Sequence, residues 1–218
     1  MSQHTLTLLR FTYKKLKEKL TVSDSKKLFH EKFPYVISGL YKRVVDEMLV
    51  ELNLLNHQNE FKQDYLFCIG LTQTFKELTK GYKPEKHLDL LFESLCNSTN
   101  FEAKEIKEIS QKFQEEVKDK SIKDMLKLLS DKSKSKLYPS RILNLGVYII
   151  ISGSKDFKGK KESEINKEIT DIFEKLNLPV NKEEKDIGIY KSSITKMEQA
   201  KELIEELKIK ENKKVQGK

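Results

Sequence analysis

Apolar residues recur along most of the chain at spacings of three and four, the period of an α-helix that buries one face. The clearest stripe lies between residues 37 and 55, and similar stripes follow in most of the later stretches. Eight glycines and four prolines are few for an all-β chain, which needs a turn about every ten residues. The pattern predicts an all-α protein: a single helical domain of about eight helices with a long C-terminal helix.

Capping and breaking residues predict where several of these helices begin and end. Thr21 and Asp24 have the spacing of a capping box, and the helix that they start should stop before Pro34. Gly81 suits the position just after a helix, and Pro84 suits the first turn of the next one.

Two similar stretches each place a glycine inside a helical pattern, where a glycine costs about 1 kcal/mol relative to alanine. Gly70 lies in the stretch LFCIGL (66–71) and Gly146 in the similar stretch ILNLGV (142–147). We expect another helix to approach closely at both glycines, because that would require the missing side chain.

The last helical pattern is the longest and runs from about residue 182 to residue 210. Such a helix would be about 42 Å long, so it should project from the body or lie along it as a coiled-coil-like arm. Lys201 interrupts the apolar seam of this helix, which argues against a strict self-dimerising zipper. The seam consists of Ile187, Tyr190, Ile194, Met197, Ile204 and Leu207.

These patterns divide the chain into four segments. They are a basic amphipathic N-terminal extension (1–20), a helical body (21–180), the long C-terminal helix (181–211) and a basic tail (212–218).

The N-terminal extension places apolar residues on one helical face and lysines over much of the rest. A helix of this kind suits the interface of an anionic membrane. The alternative is a leader that packs on the body or stays disordered. The membrane-contact hypothesis rests on Leu6, Leu9, Tyr13, Lys14, Leu16 and Lys17.

Charge is concentrated at the two ends of the chain. The 218 residues carry 42 Lys and Arg against 34 Asp and Glu, for a net charge of +8. Residues 1–20 and 208–218 each contribute +4, so the stretch between them is formally neutral. A neutral body, with few arginines, argues against a nucleic-acid partner. No apolar stretch reaches the roughly 20 residues that a membrane-spanning helix needs.

The candidate catalytic and metal-binding residues form no recognisable site. The two cysteines, Cys68 and Cys96, are not a CxxC pair and are expected to be buried in helices. No two histidines stand at i, i+4, and none completes a Glu-x-x-His motif. We therefore predict no enzyme activity and no cofactor. The histidines are His4, His30, His57 and His87.

Five stretches, taken in order, resemble the Thylakoid Formation family of cyanobacteria and chloroplasts. No single stretch is diagnostic, but five in the family's order are specific. The chain departs from the family where Lys42 and Lys83 replace the usual arginines, and at residues 34–39. The stretches are TVSDSKKLF (21–29), YKRVVDEMLVELNLL (41–55), KGYKPE (80–85), YPSRILNLGVY (138–148) and IYKSSITKMEQA (189–200).

The resemblance implies an all-helical, non-catalytic protein that assists photosystem II biogenesis and repair and thylakoid membrane formation. Its implied partners are an FtsH-type thylakoid protease, which it associates with and stabilises, and photosystem II assembly intermediates. Its implied location is the cyanobacterial cytoplasm or the chloroplast stroma, peripheral to the thylakoid membrane. The competing hypothesis is a general membrane-surface adaptor that binds anionic lipid through its basic ends.

A partner-binding surface is expected on polar and turn residues within the family-like stretches. The hypothesis names Arg43 and Glu47 on a helix face and the Tyr82, Lys83 and Pro84 turn. The plainer alternative for the helix face is ordinary i, i+4 ion pairing, Lys42 with Asp46 and Arg43 with Glu47. The plainer alternative for the turn is an ordinary helix stop.

Overall fold

The computed structural model describes residues 19–132, 137–157 and 159–216, and over this part of the chain the fold is all-α. The described residues form nine α-helices, with short 3-10 helices at Glu85–His87 and Lys155–Phe157. The predicted all-helical fold with a long C-terminal helix is confirmed. The α-helices are α1 (Val22–Lys32), α2 (Gly39–Asn56), α3 (Tyr65–Leu78), α4 (Leu88–Asn97), α5 (Ala103–Val117), α6 (Ile122–Lys132), α7 (Arg141–Ser152), α8 (Glu162–Lys175) and α9 (Val180–Gln216).

Side-chain caps start several helices, and the one at the first helix was predicted from the sequence. Thr21 and Asp24 form a reciprocal capping box at α1, as predicted. Asp64 accepts a hydrogen bond from the backbone N–H of Phe67 and caps α3. Ser140 caps α7 in the same way. Each cap satisfies a backbone N–H that has no partner within its helix.

The closest helix contact lies between α3 and α7, at the two glycines. A methyl group at Gly70 would lie 1.9 Å from the carbonyl oxygen of Ile142. A methyl group at Gly146 would lie 2.0 Å from the carbonyl oxygen of Leu66. Only glycine fits at these positions, so the predicted close approach of another helix is confirmed.

Helix α3 is the centre of the molecule because its side chains enter two neighbouring hydrophobic clusters. Phe67 and Leu71 belong to the cluster formed largely with α1, α2 and α4. Leu66 and Ile69 belong to the cluster formed largely with α7, α8 and the start of α9. Cys68 and Cys96 lie in the first cluster as buried, unbonded thiols, as predicted, and burial raises the pKa of Cys68 and Cys96.

Helix α9 has 37 residues and is about 55 Å long. Its first half packs on the body through buried residues that include Ile187, Tyr190 and Met197. From residue 202 to residue 210 every described side chain is exposed. The two predicted arrangements are thus combined: the first half lies along the body and the second half extends beyond the packed residues.

Candidate partner-binding groove along helix α2

The outer face of α2 forms one wall of a surface groove that runs along the helix. Its residues recur at spacings of three and four, which places them on the same face. Residues 182–197 of α9 form much of the facing wall, and Arg141, the first residue of α7, lies between the two walls. The residues of the α2 face are Leu40, Arg43, Val44, Glu47, Glu51 and Leu54, and Gln58 lies just beyond the end of α2.

The part of the groove near the start of α2 is a basic hollow of about 690 Å³. Apolar residues from both helices line it, among them Val44 and Ile189. Its basic residues outnumber its single acidic residue, Glu47, so this hollow favours an acidic ligand or segment. The basic residues are Arg43, Arg141, Lys185 and Lys196.

The part of the groove near the end of α2 is an acidic hollow of about 590 Å³. Three carboxylates line it, compared with only two cationic side chains, Arg141 and Lys182. Its apolar lining includes Leu54, which is 54% exposed and therefore open to a partner. The carboxylates are those of Asp46, Glu47 and Glu51.

An ion pair between Arg141 and Glu51 separates the two hollows. Arg141 Nε lies 2.8 Å from Glu51 Oε2, and both side chains are largely buried. Burial raises the pKa of Glu51, although the guanidinium of Arg141 opposes that rise. This pair of Glu51 with Arg141 was not predicted from the sequence. The available signal was Arg141, because the whole chain has few arginines.

A second buried polar contact joins α9 to α7 close to this pair. Asn144 Nδ2 donates to Asp186 Oδ2 at 2.8 Å, and both residues are buried. Asn144 Oδ1 has no hydrogen-bond partner among the described residues. Asp186 was also missed from sequence, because it looked like one more acid on a charged helix.

The structure keeps Arg43 and Glu47 together on the α2 face. Arg43 Nε lies 2.8 Å from Glu47 Oε1, and the Arg43 side chain is 87% exposed. This pair is the one that i, i+4 spacing predicted. Asp46 instead contacts Lys26 of α1, with Nζ and Oδ1 3.5 Å apart, rather than the expected Lys42.

Aromatic packing supports the turn formed by Tyr82, Lys83 and Pro84. Tyr82 is only 1% exposed, and its ring packs edge-on against Tyr41 at 5.2 Å. The expectation that the Tyr82 ring offers a contact surface is therefore corrected. Lys83 and Pro84 are exposed and joined by a cis peptide bond. Gly81 has φ +83°, the left-handed backbone that glycine adopts without strain.

The proposed contact residues do not form one continuous patch. The hydroxyl of Tyr41 donates to the carbonyl oxygen of Lys80, which fixes the turn near the start of α2. Arg43 follows Tyr41 by two positions and points about 200° around the helix from it. Arg43 and Glu47 therefore belong to the groove, whereas the turn lies on another side of α2.

The remaining sequence predictions concern membrane contact and metal binding. The membrane-contact residues Leu6 to Lys17 lie outside the described residues. Across the described ranges, no three His, Cys, Asp or Glu side chains are grouped so that they could hold a metal ion. None of the described helices combines the length and the apolar character needed to cross a bilayer.

Comparison with known proteins matches the part of the chain that forms these helices. A sequence model described as Thylakoid formation protein matches residues 21–218. The chain belongs to this family. It is 79% identical over 199 residues to Protein Thf1 of Prochlorococcus marinus strain MIT 9312, covering 91% of this chain and 99% of the relative. Protein Thf1 of P. marinus strain CCMP1986 is 73% identical over 198 residues, covering 91% and 98%.

A solved structure of Psb29 shares the fold of this Thylakoid formation protein. The TM-score is 0.78 at 27% sequence identity, and the match covers 89% of this chain and 98% of Psb29. The resemblance inferred from five short stretches is thus confirmed as family membership. The family match begins at Thr21, the N-cap of α1.

Proposed function

We propose that this Thylakoid formation protein is a non-catalytic factor for thylakoid membrane formation and photosystem II biogenesis and repair. It acts at the thylakoid surface, in a cyanobacterial cytoplasm or chloroplast stroma, by associating with and stabilising an FtsH-type protease. The observation that supports the proposal is the family match over residues 21–218.

The groove along α2 gives this proposal a surface of suitable character. It combines an open apolar lining with opposite charges in its two hollows, as in grooves that receive a helix from a partner. Arg43 lies in the basic hollow, where its exposure leaves the guanidinium available to a partner carboxylate. Lys83 and Pro84 form a second, separate contact at the same end of α2.

Charge reversal at Arg43 tests the groove as the protease contact. The variant Arg43→Glu puts a carboxylate into the basic hollow and should lower the amount of FtsH-type protease that co-purifies from thylakoid membranes. We expect a decrease of about tenfold, which corresponds to ~1.4 kcal/mol of binding free energy. Arg43 is exposed and its ion pair with Glu47 is a surface pair, so folding should be preserved.

Lys42→Glu is the matched control, because Lys42 is the exposed neighbour of Arg43 and does not line the groove. This control should recover as much protease as the unmodified chain. Equal recovery with both variants would remove the groove from the proposal. Failure to recover the protease with the unmodified chain would contradict the proposed association with the protease.

A further inference from the structure

The outer half of α9 carries apolar side chains that pack against nothing in the described structure. We call residues 202–210 the arm. Leu203 is 58% exposed and Leu207 is 51% exposed, and Ile204 and Ile209 beside them are also exposed, so the arm presents a run of apolar side chains to solvent. Acidic residues share the arm with them at 202, 205 and 206.

A regular seam connects the arm to the basic hollow along one side of α9. Its members are spaced alternately by four and three residues, which is the heptad spacing of a coiled coil. The first three members line the basic hollow, and the last two are the exposed leucines of the arm. We call this line the outer seam: Ile189, Ser193, Lys196, Ala200, Leu203 and Leu207.

The outer seam differs from the seam that packs on the body. The body seam contains Tyr190, Met197 and Lys201, and the Lys201 side chain lies beside Gly81. The interrupting lysine that argued against self-association therefore belongs to the inward-facing seam. It does not lie between two copies that meet along the outer seam, whose own lysine is Lys196.

The arm cannot reach the basic hollow of its own chain. The hollow wall and the arm are parts of one helix, and α9 is unbroken from Val180 to Gln216. If an arm covers this hollow, it must therefore be the arm of another molecule. The arm carries three acidic residues and two lysines, Lys208 and Lys210, and its Glu206 lies directly beside the outer seam, where it complements Lys185 of the hollow.

We propose that two copies of this chain pair through antiparallel α9 helices, each arm lying along the outer seam and basic hollow of the other copy. The seam is self-complementary in one register. In it, Leu207 of one copy lies opposite Ile189 of the other, Leu203 opposite Ser193, and Ala200 opposite Lys196. A two-fold axis repeats every contact, as a closed symmetric dimer requires.

The charges flanking the seam support the same register. Glu206 lies beside the outer seam, next to Leu207. Ser192 lies on the same side of the helix two heptads earlier, and Lys185 three heptads earlier. Antiparallel pairing brings Glu206 of one copy between those two positions of the other. The small side chain of Ala200 leaves room for the stem of Lys196 near the axis.

Sedimentation of the purified full-length chain over a range of concentrations tests the proposal. The 25.6 kDa chain should show a concentration-dependent increase to twice its mass. Leu207→Asp removes two apolar contacts per dimer and should raise the dissociation constant by about a hundredfold. The control Ile209→Asp makes the same kind of substitution on an exposed apolar residue off the outer seam and should leave the dissociation constant unchanged. Helical circular dichroism should be the same for all three chains.

Disulfide trapping tests the register. A mixture of Ser193→Cys and Leu203→Cys chains should form a mixed disulfide under mild oxidation, whereas either chain alone should form far less. The native thiols do not interfere, because Cys68 and Cys96 are buried. A chain that stays monomeric, or a dimer that Leu207→Asp leaves intact, would overturn the proposal. Both proposals use the same basic hollow, so a dimer that forms there would compete with the protease; sedimentation and trapping use only the purified chain, so their results do not depend on whether the protease is recovered.

Discussion

The α3–α7 crossing and the α9 arm use apolar helix surfaces in opposite ways. At the crossing, Gly70 and Gly146 let two backbones touch, and the surrounding residues are buried. On the arm, Leu203 and Leu207 have large side chains that are more than half exposed. The crossing therefore stabilises the fold, whereas the arm contributes little to the stability of one isolated chain.

This difference separates the residues that determine folding from those available to partners. A buried contact that excludes even a methyl group has almost no tolerance for substitution. An exposed leucine can change without leaving a cavity, so its effects should appear in association instead. Stability and binding measurements on matched variants can therefore tell the two regions apart.

The largest effect is expected for Gly146→Ala. The new methyl group would collide with the carbonyl oxygen of Leu66, which is backbone and cannot rotate away. Helices α3 and α7 would have to separate, so we expect a loss of about 3 kcal/mol or more in the free energy of unfolding. Urea denaturation followed by circular dichroism measures this loss.

Gly188→Ala makes the same substitution on α9 and serves as the matched control. A methyl group there meets no atom within 4 Å, so alanine should raise stability by about 0.5–1 kcal/mol through its higher helix propensity. The two glycines should therefore give effects of opposite sign. A small effect at Gly146, or a large loss at Gly188, would contradict the contrast between the two regions.

A smaller loss is expected where the packed half of α9 meets α7 and α2. Arg141→Met removes the cation that faces Glu51 and leaves a largely buried carboxylate without its partner. We expect a loss of about 2 kcal/mol near neutral pH, less than for a fully buried pair because water reaches both side chains. Denaturation near pH 7 and near pH 4 measures it.

The pH dependence identifies Glu51 as the cause of this loss. Burial already raises the pKa of Glu51, and removing Arg141 should raise it further. The folded state then binds its proton more tightly than the unfolded state, so stability falls as pH rises above the unfolded pKa. The loss should shrink at acidic pH and in the double variant Glu51→Gln with Arg141→Met. A loss that is independent of pH would point to packing instead.

Local signals in the sequence predicted much of the fold. The capping box of Thr21 and Asp24 and the role of Gly70 and Gly146 follow from short-range stereochemistry, and the structure confirms them. The pairing of Arg43 with Glu47 follows from helical spacing. The cap and the ion pair depend on residues a few positions apart, and the prediction for the two glycines depends on the cost of glycine inside a helix.

The groove could not be predicted because its contacts are distant in sequence. Glu51 and Arg141 are 90 positions apart, and neither residue type reveals its partner. Tyr82 looked like an exposed turn residue because its packing against Tyr41 also depends on tertiary structure. The outer seam escaped notice because Ser193 and Lys196 interrupt its apolar pattern.

A small effect is expected at Asp64, the cap that starts α3 and leads into the crossing. Burial raises the pKa of Asp64 to about 6, although the backbone N–H groups of Phe67 and Leu66 favour its charged form. The folded state therefore binds a proton that the unfolded state has lost, and stability should fall as pH rises from about 4 to 6.

Asp64→Asn keeps an oxygen that accepts from Phe67 but carries no charge. Because Asp64 is partly exposed, the variant should be only about 1 kcal/mol more stable than the unmodified chain at pH 7, and equally stable near pH 4. Paired urea titrations at the two pH values measure this difference, and an equal gain at both would mean that the charge of Asp64 is not its cause.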